Sequence, residues 1–63
     1  MSLGRNLKIL LYDKKIEQRE LAKVAECSEA MISKVIANER DFSSGKLKKI
    51  ADFLGVTVDE LLR

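Results

Sequence analysis

Apolar residues recur along this chain at helical spacing. Leu3, Leu7, Leu10 and Leu11 share one face near the N-terminus, and the same interval returns in Leu21 and Ala25, in Ile32 and Val35, and in Leu47, Ile50, Ala51 and Leu54. Alternation of the kind a strand needs is nowhere sustained. The punctuation between these stretches is also helical. Thr57 and Glu60 have the spacing of a capping box, with Val56 and Leu61 as its hydrophobic staple. Ser43 as an N-cap puts Phe42 and Leu47 at the same staple offset, and Ser28 does so for Cys27 and Ile32. Glu17, a poor N-cap residue, has Ile16 and Leu21 in the staple positions and marks a fourth start. Gly55 and Asn38 stand where a left-handed residue closes a helix. The pattern predicts five α-helices, over residues 3–14, 17–25, 28–37, 43–54 and 57–62, and so a compact all-α five-helix bundle.

At 63 residues the chain holds a single domain, residues 1–63, near the lower size limit for folding without disulfides or metal. Apolar residues make up 46% and charged residues 35%, a balance that suits a globular domain rather than a disordered tail or a membrane segment. The N-terminal apolar run is too short to span a bilayer and lacks a small-residue cleavage site, so a cytoplasmic location is expected. Cys27 is the one cysteine and histidine is absent, which argues against an internal disulfide, a thiolate/imidazole pair or a zinc cluster. No metal and no cofactor is expected, and no glycine-rich phosphate loop or carboxylate pair points to an enzyme.

The net charge is only +2, but its distribution is uneven. Residues 1–49 carry 11 Lys/Arg against 7 Asp/Glu, whereas residues 50–63 carry 1 against 3. The basic surface therefore lies upstream of an acidic end, an arrangement that permits an anionic partner without demanding one.

Only "ECS", residues 26–28, separates the second and third helices, so their axes must cross steeply and a small residue is needed where they approach. Ala22 fits that position. The spacing is that of a helix-turn-helix. Residues 16–62, with "Q-x-x-LA" at 18–22, the helix beginning at Ser28 and the closing "KIADFLGVTVDELL", resemble the Cro and lambda-repressor superfamily, also called the XRE family. The resemblance implies a lambda repressor-like DNA-binding domain whose third helix enters the major groove of double-stranded DNA. It departs from the family pattern at Glu26 and Asn38, where glycine is usual, at Ile36, where glutamate is usual, and at Phe42, where proline is usual. Glu26 is then expected to take the left-handed conformation at some cost.

Gln18 matches the family glutamine that contacts a phosphate and braces the recognition helix, although a first-turn polar residue needs no such role. Glu29, Ala30, Ser33 and Lys34 form the face of the third helix opposite Ile32, Val35 and Ile36, and are the candidates for base contact. A serine hydroxyl can donate or accept and so discriminates weakly, whereas Ala30 can pack only on a thymine methyl. Glu29 has two readings: a carboxylate favourably placed at a helix N-terminus, or an acceptor for a cytosine amino group. Arg19, Lys34, Arg40, Lys46 and Lys48 are either an ordinary solvated surface or, grouped around the third helix, contacts to flanking phosphates. Phe53, Val58 and Leu62 are candidates for a homodimer seam, which the resemblance also favours. The expected function is a sequence-specific transcriptional regulator that binds a palindromic operator as a homodimer. The alternative is a protein-interaction module on the same fold, such as an antitoxin or repressor partner, in which Glu29 reflects lost DNA contact.

Overall fold

Each of the short turns in this protein uses one apolar residue twice. In the computed structural model, which describes residues 3–63, the chain forms α1 (Leu3–Lys14), α2 (Gln18–Ala25), α3 (Glu29–Ile36), α4 (Ser44–Leu54) and α5 (Val58–Leu62). Met1 and Ser2, part of the expected single domain, lie outside the described residues. α1 ends with Lys15 at φ 57°, α2 with Glu26 at φ 56° and α4 with Gly55 at φ 73°. The amide of each left-handed residue and that of its successor turn back onto the last helical carbonyls: Lys15 to Tyr12 and Ile16 to Leu11, Glu26 to Lys23 and Cys27 to Ala22, Gly55 to Asp52 and Val56 to Ala51. These paired bonds are the Schellman closure, which satisfies carbonyls that a helix end otherwise leaves without partners. The next residue, Ile16, Cys27 or Val56, packs partly buried against the core and immediately precedes the following N-cap.

The caps explain why the helices begin where they do. Ser28 Oγ accepts from the Met31 amide at 3.1 Å and Ser43 Oγ from the Lys46 amide at 3.4 Å. Thr57 and Glu60 bond reciprocally, each at 3.1 Å, which completes the expected capping box. Each such cap contributes about 1 kcal/mol. At α2 the exchange is less complete: the Glu20 carboxylate accepts from the Glu17 amide at 3.3 Å, while the Glu17 carboxylate turns to Arg19. α1 has the expected bounds, whereas α2, α3, α4 and α5 each start one residue after the expected boundary because those boundaries included the caps. Asn38, at φ 64°, closes α3 by the same paired bonds, but its successor is Glu39, and a longer connection follows until buried Phe42 anchors the chain before Ser43.

Leu7, Leu21, Ile32, Val35, Ile50, Leu54 and Leu61 are fully buried, so every helix supplies the same core. α1 packs on α3 and α5, α2 on α3 and α4, and α4 on α5. Ala22 is 4% exposed, as a small residue between crowded helices should be. Gly4 serves a second close approach. A Cβ there would run into the backbone carbonyl oxygens of Val35 and Ile36, so glycine lets α1 lie against the end of α3. Asn6, two residues later, donates through Nδ2 to the carbonyls of Leu61 at 2.6 Å and Arg63 at 2.8 Å, tying α1 to the end of α5.

Candidate nucleic-acid interface

The turn between α2 and α3 holds the two helices in a fixed relation, and two lysines of α4 secure it. Glu26 occupies the left-handed position with a side chain that glycine would lack, and its carboxylate accepts from Lys49 Nζ at 2.7 Å. That hydrogen bond, reinforced by the lysine charge, holds the Glu26 carboxyl below the usual carboxylate range. Lys46, one turn earlier in α4, donates from Nζ to the Ala25 carbonyl at 2.6 Å. A cation at the C-terminal end of α2 complements the helix dipole as well as the carbonyl. Lys46 therefore has a structural role in addition to any contact with phosphate, and neither it nor the Lys49 pair is signalled by local spacing.

Ile32 and Val35 anchor α3 in the core, Met31 and Ile36 are half-buried, and Glu29, Ala30, Ser33 and Lys34 are all exposed. Position along the helix decides which of these groups align. Glu29 and Ser33 lie four residues apart in one row, and Ala30 and Lys34 form the row beside it. Ser33 is also joined to α2: its Oγ donates to Gln18 Oε1 at 2.9 Å. Gln18 is exposed in the first turn of α2, beside Arg19. Arg19 Nε donates to Glu17 Oε1 at 2.7 Å. This hydrogen bond and the charge of Glu17, with smaller contributions from Glu29 and Glu20, raise the guanidinium pKa further, so Arg19 stays cationic at every relevant pH. An incoming phosphate would have to compete with Glu17 for Arg19.

Arg40 and Lys48 are exposed, and Lys46 is half-buried because of its bond to α2. The basic residues picked out by sequence thus include one whose ammonium already has a carbonyl partner. At the other end of the chain Phe53 and Leu62 are 43% and 45% exposed, whereas Val58 is partly buried and packs against the core. Ile9 and Tyr12 of α1 are exposed too and were not among the expected surface apolar residues. Both lie off the face that Leu3, Leu7, Leu10 and Leu11 share. A shallow groove lined by Asn6, Ile9, Leu10, Val56 and Glu60 runs between α1 and the last turn.

Among the described residues no cluster of acidic or cysteine side chains could hold a metal ion, and no helix is long and apolar enough to cross a membrane. Three solved structures share the fold across nearly the whole chain. The restriction-modification controller protein C.AhdI from Aeromonas hydrophila superposes with a TM-score of 0.84 at 25% identity, covering 95% of this chain and 91% of that one. A hypothetical transcription factor, NHTF, from Neisseria gives 0.84 at 26% identity, over 97% of this chain and 70% of its own. The clp gene regulator ClgR from Corynebacterium glutamicum gives 0.86 at 29% identity, over 94% of this chain and 63% of its own. No curated protein sequence matches the chain. The helix-turn-helix sequence profile HTH_3 matches residues 7–61, which takes in α2, its left-handed turn and α3, and the chain belongs to this XRE-type helix-turn-helix family.

Proposed function

We propose that this protein is a DNA-binding transcriptional regulator that reads an operator through α3 and has no catalytic activity. The observation that carries the reading is the exposed row of α3 joined to the first turn of α2 by the Ser33–Gln18 hydrogen bond. Such a unit offers side chains to base edges and, one helix away, an amide to the phosphate that fixes register. Similarity to a restriction-modification controller, a hypothetical transcription factor and a gene regulator supports the same reading.

Glu29, Ala30, Ser33 and Lys34 face the bases, and Gln18, Arg19, Arg40, Lys46 and Lys48 face phosphates. A domain with so few base contacts gains limited discrimination, since each good contact is worth about 1–3 kcal/mol and a genome offers on the order of a million competing sites or more. Two copies, pairing through Phe53, Val58 and Leu62, double the reading surface on a palindromic site. The two α3 helices then lie about 34 Å apart, one turn of DNA. Half-burial of Val58 makes Phe53 and Leu62 the larger contributors to that seam.

Selection of bound sequences from a random DNA pool tests the reading, with a two-fold symmetric motif as the expected product. Arg40→Ala should weaken binding to all sequences alike and reduce the salt slope by about one. Absence of any enriched motif, together with salt-insensitive or negligible binding to mixed genomic DNA, would instead favour the protein-interaction role.

A further inference from the structure

A serine in the reading face is ordinarily ambiguous, because its hydroxyl both donates and accepts. In this protein the ambiguity is removed from within. The single hydroxyl proton of Ser33 is directed to Gln18 Oε1 at 2.9 Å, and both side chains are exposed on the surface formed by α2 and α3. What remains for a ligand is the lone-pair side of Ser33 Oγ and the two N–H groups of the Gln18 amide. Glu29, one helical turn before Ser33 in the same row, is acceptor-only as a carboxylate.

We infer that the Gln18–Ser33 pair makes Ser33 a hydrogen-bond acceptor and thereby a specificity-determining residue, selecting bases that carry an exocyclic amino group, adenine or cytosine, over the keto bases guanine and thymine. The inference rests on the DNA-reading role proposed above. Adenine N6 and cytosine N4 are the donors that the major groove presents, whereas guanine O6 and thymine O4 are acceptors that would face the Ser33 lone pairs unfavourably. Gln18 acts on that choice through Ser33, and separately offers its own N–H groups to a phosphate. Glu29 adds a second acceptor about 6 Å along the helix axis, a distance of roughly two base steps, so the two amino-bearing positions fall close together in each half-site.

The test is random-pool selection with the wild-type protein and three variants, at one salt concentration, with melting temperature recorded for each. Wild type should enrich a position in each half-site where adenine or cytosine is preferred over guanine or thymine by about tenfold, the size of a modest base contact. Ser33→Ala should level that position and leave the rest of the motif in place. Gln18→Ala frees the hydroxyl proton, so guanine and thymine should become acceptable at the same position. Gln18→Glu keeps an acceptor for Ser33 and loses the amide donors, so the amino preference should survive while affinity falls for all sequences. An enriched motif whose every position is unchanged by Ser33→Ala, or an amino preference that persists in Gln18→Ala, would overturn the inference and leave the DNA-reading role standing. Failure of the wild type to enrich any sequence would overturn both.

Discussion

The turn from α2 to α3 and the turn from α4 to α5 have one backbone design and opposite choices at its most demanding position. Glu26-Cys27-Ser28 and Gly55-Val56-Thr57 each place a left-handed residue, a half-buried apolar residue and a hydroxyl N-cap in succession. The hydrogen bonds that close the preceding helix are equivalent in both. Gly55 reaches its conformation without penalty, whereas a side chain at Glu26 costs on the order of 1–2 kcal/mol. The left-handed geometry is therefore imposed by the closure bonds and by burial on either side, and glycine is a convenience rather than its cause. What Glu26 gains in return is the Lys49 pair, a link from the turn to α4 that Gly55 cannot make.

If packing imposes the turn, the largest effect should come from the helix crossing rather than from the turn residue. Ala22 is buried one turn before the α2 terminus, and its carbonyl accepts the Cys27 amide. Ala22→Leu should overpack the site and destabilise the protein by about 1–3 kcal/mol. For a domain of this size that is a fall in melting temperature of several degrees or more, roughly 4–8 °C per kcal/mol. An unchanged melting temperature would remove Ala22 from the crossing.

Next in size are the reciprocal exchanges at the left-handed positions. Gly55→Ala should cost about 1–2 kcal/mol, because it introduces a Cβ at φ 73° although the space around it is open. Glu26→Gly relieves the same strain but loses the exposed ion pair and makes the unfolded chain more flexible, so it should stabilise by at most about 1 kcal/mol. Chemical denaturation of the two variants measures both. Opposite signs support a shared backbone requirement, and destabilisation by Glu26→Gly comparable to that of Gly55→Ala would mean that the Lys49 link dominates.

How much of this could be read from the sequence follows the range of each interaction. The caps at Ser28, Ser43 and Thr57 and the left-handed residues Asn38 and Gly55 were legible because their residue types mark helix ends locally, and the left-handed Glu26 because the family resemblance puts glycine at that position. Lys15, left-handed without being glycine or asparagine, was not, since nothing local distinguishes it from a solvent lysine. Gly4 and Asn6 were missed for a different reason: their partners are the ends of α3 and α5, and only the assembled bundle brings them near α1. In the candidate interface the exposed row of α3 followed from periodicity, and a brace by Gln18 from family resemblance. The identity of its partner, and the direction of the hydrogen bond, required the fold. Lys46 shows the converse, a lysine grouped by charge whose ammonium the tertiary structure directs to Ala25.

That engagement supplies a third, smaller test, because it puts a cation from α4 on the last carbonyl of α2. Lys46→Met keeps the aliphatic stem and removes the ammonium, and should destabilise by about 1 kcal/mol through loss of one charged hydrogen bond. Arg40→Met, which alters an exposed residue of the connection after α3, should leave stability within about 0.5 kcal/mol of wild type. Both should weaken DNA binding. Equal melting temperatures for the two variants would reduce Lys46 to a surface charge.

The smallest effect concerns acid. Only one of the two matched turns carries a titratable group at its left-handed position, and the Lys49 hydrogen bond and charge lower the pKa of Glu26 in the folded state. A depressed folded-state pKa means that the unfolded chain binds the proton more readily. The corresponding stability is present above the ordinary carboxylate range and is lost as pH falls through the folded-state value. Because Glu26 is at the surface and its partner is a lysine, the contribution is small and diminishes further with salt. Carboxyl chemical shifts followed by NMR should therefore show Glu26 titrating below the usual glutamate range, and Lys49→Ala should return it toward that range. Glu26→Gly should flatten the same part of the stability profile on acidification, whereas Gly55→Ala should lower the whole profile without changing its shape. A Glu26 titration unaltered by Lys49→Ala would show that the link from the turn to α4 is not formed in solution, and the left-handed glutamate would then have no compensation beyond its closure bonds.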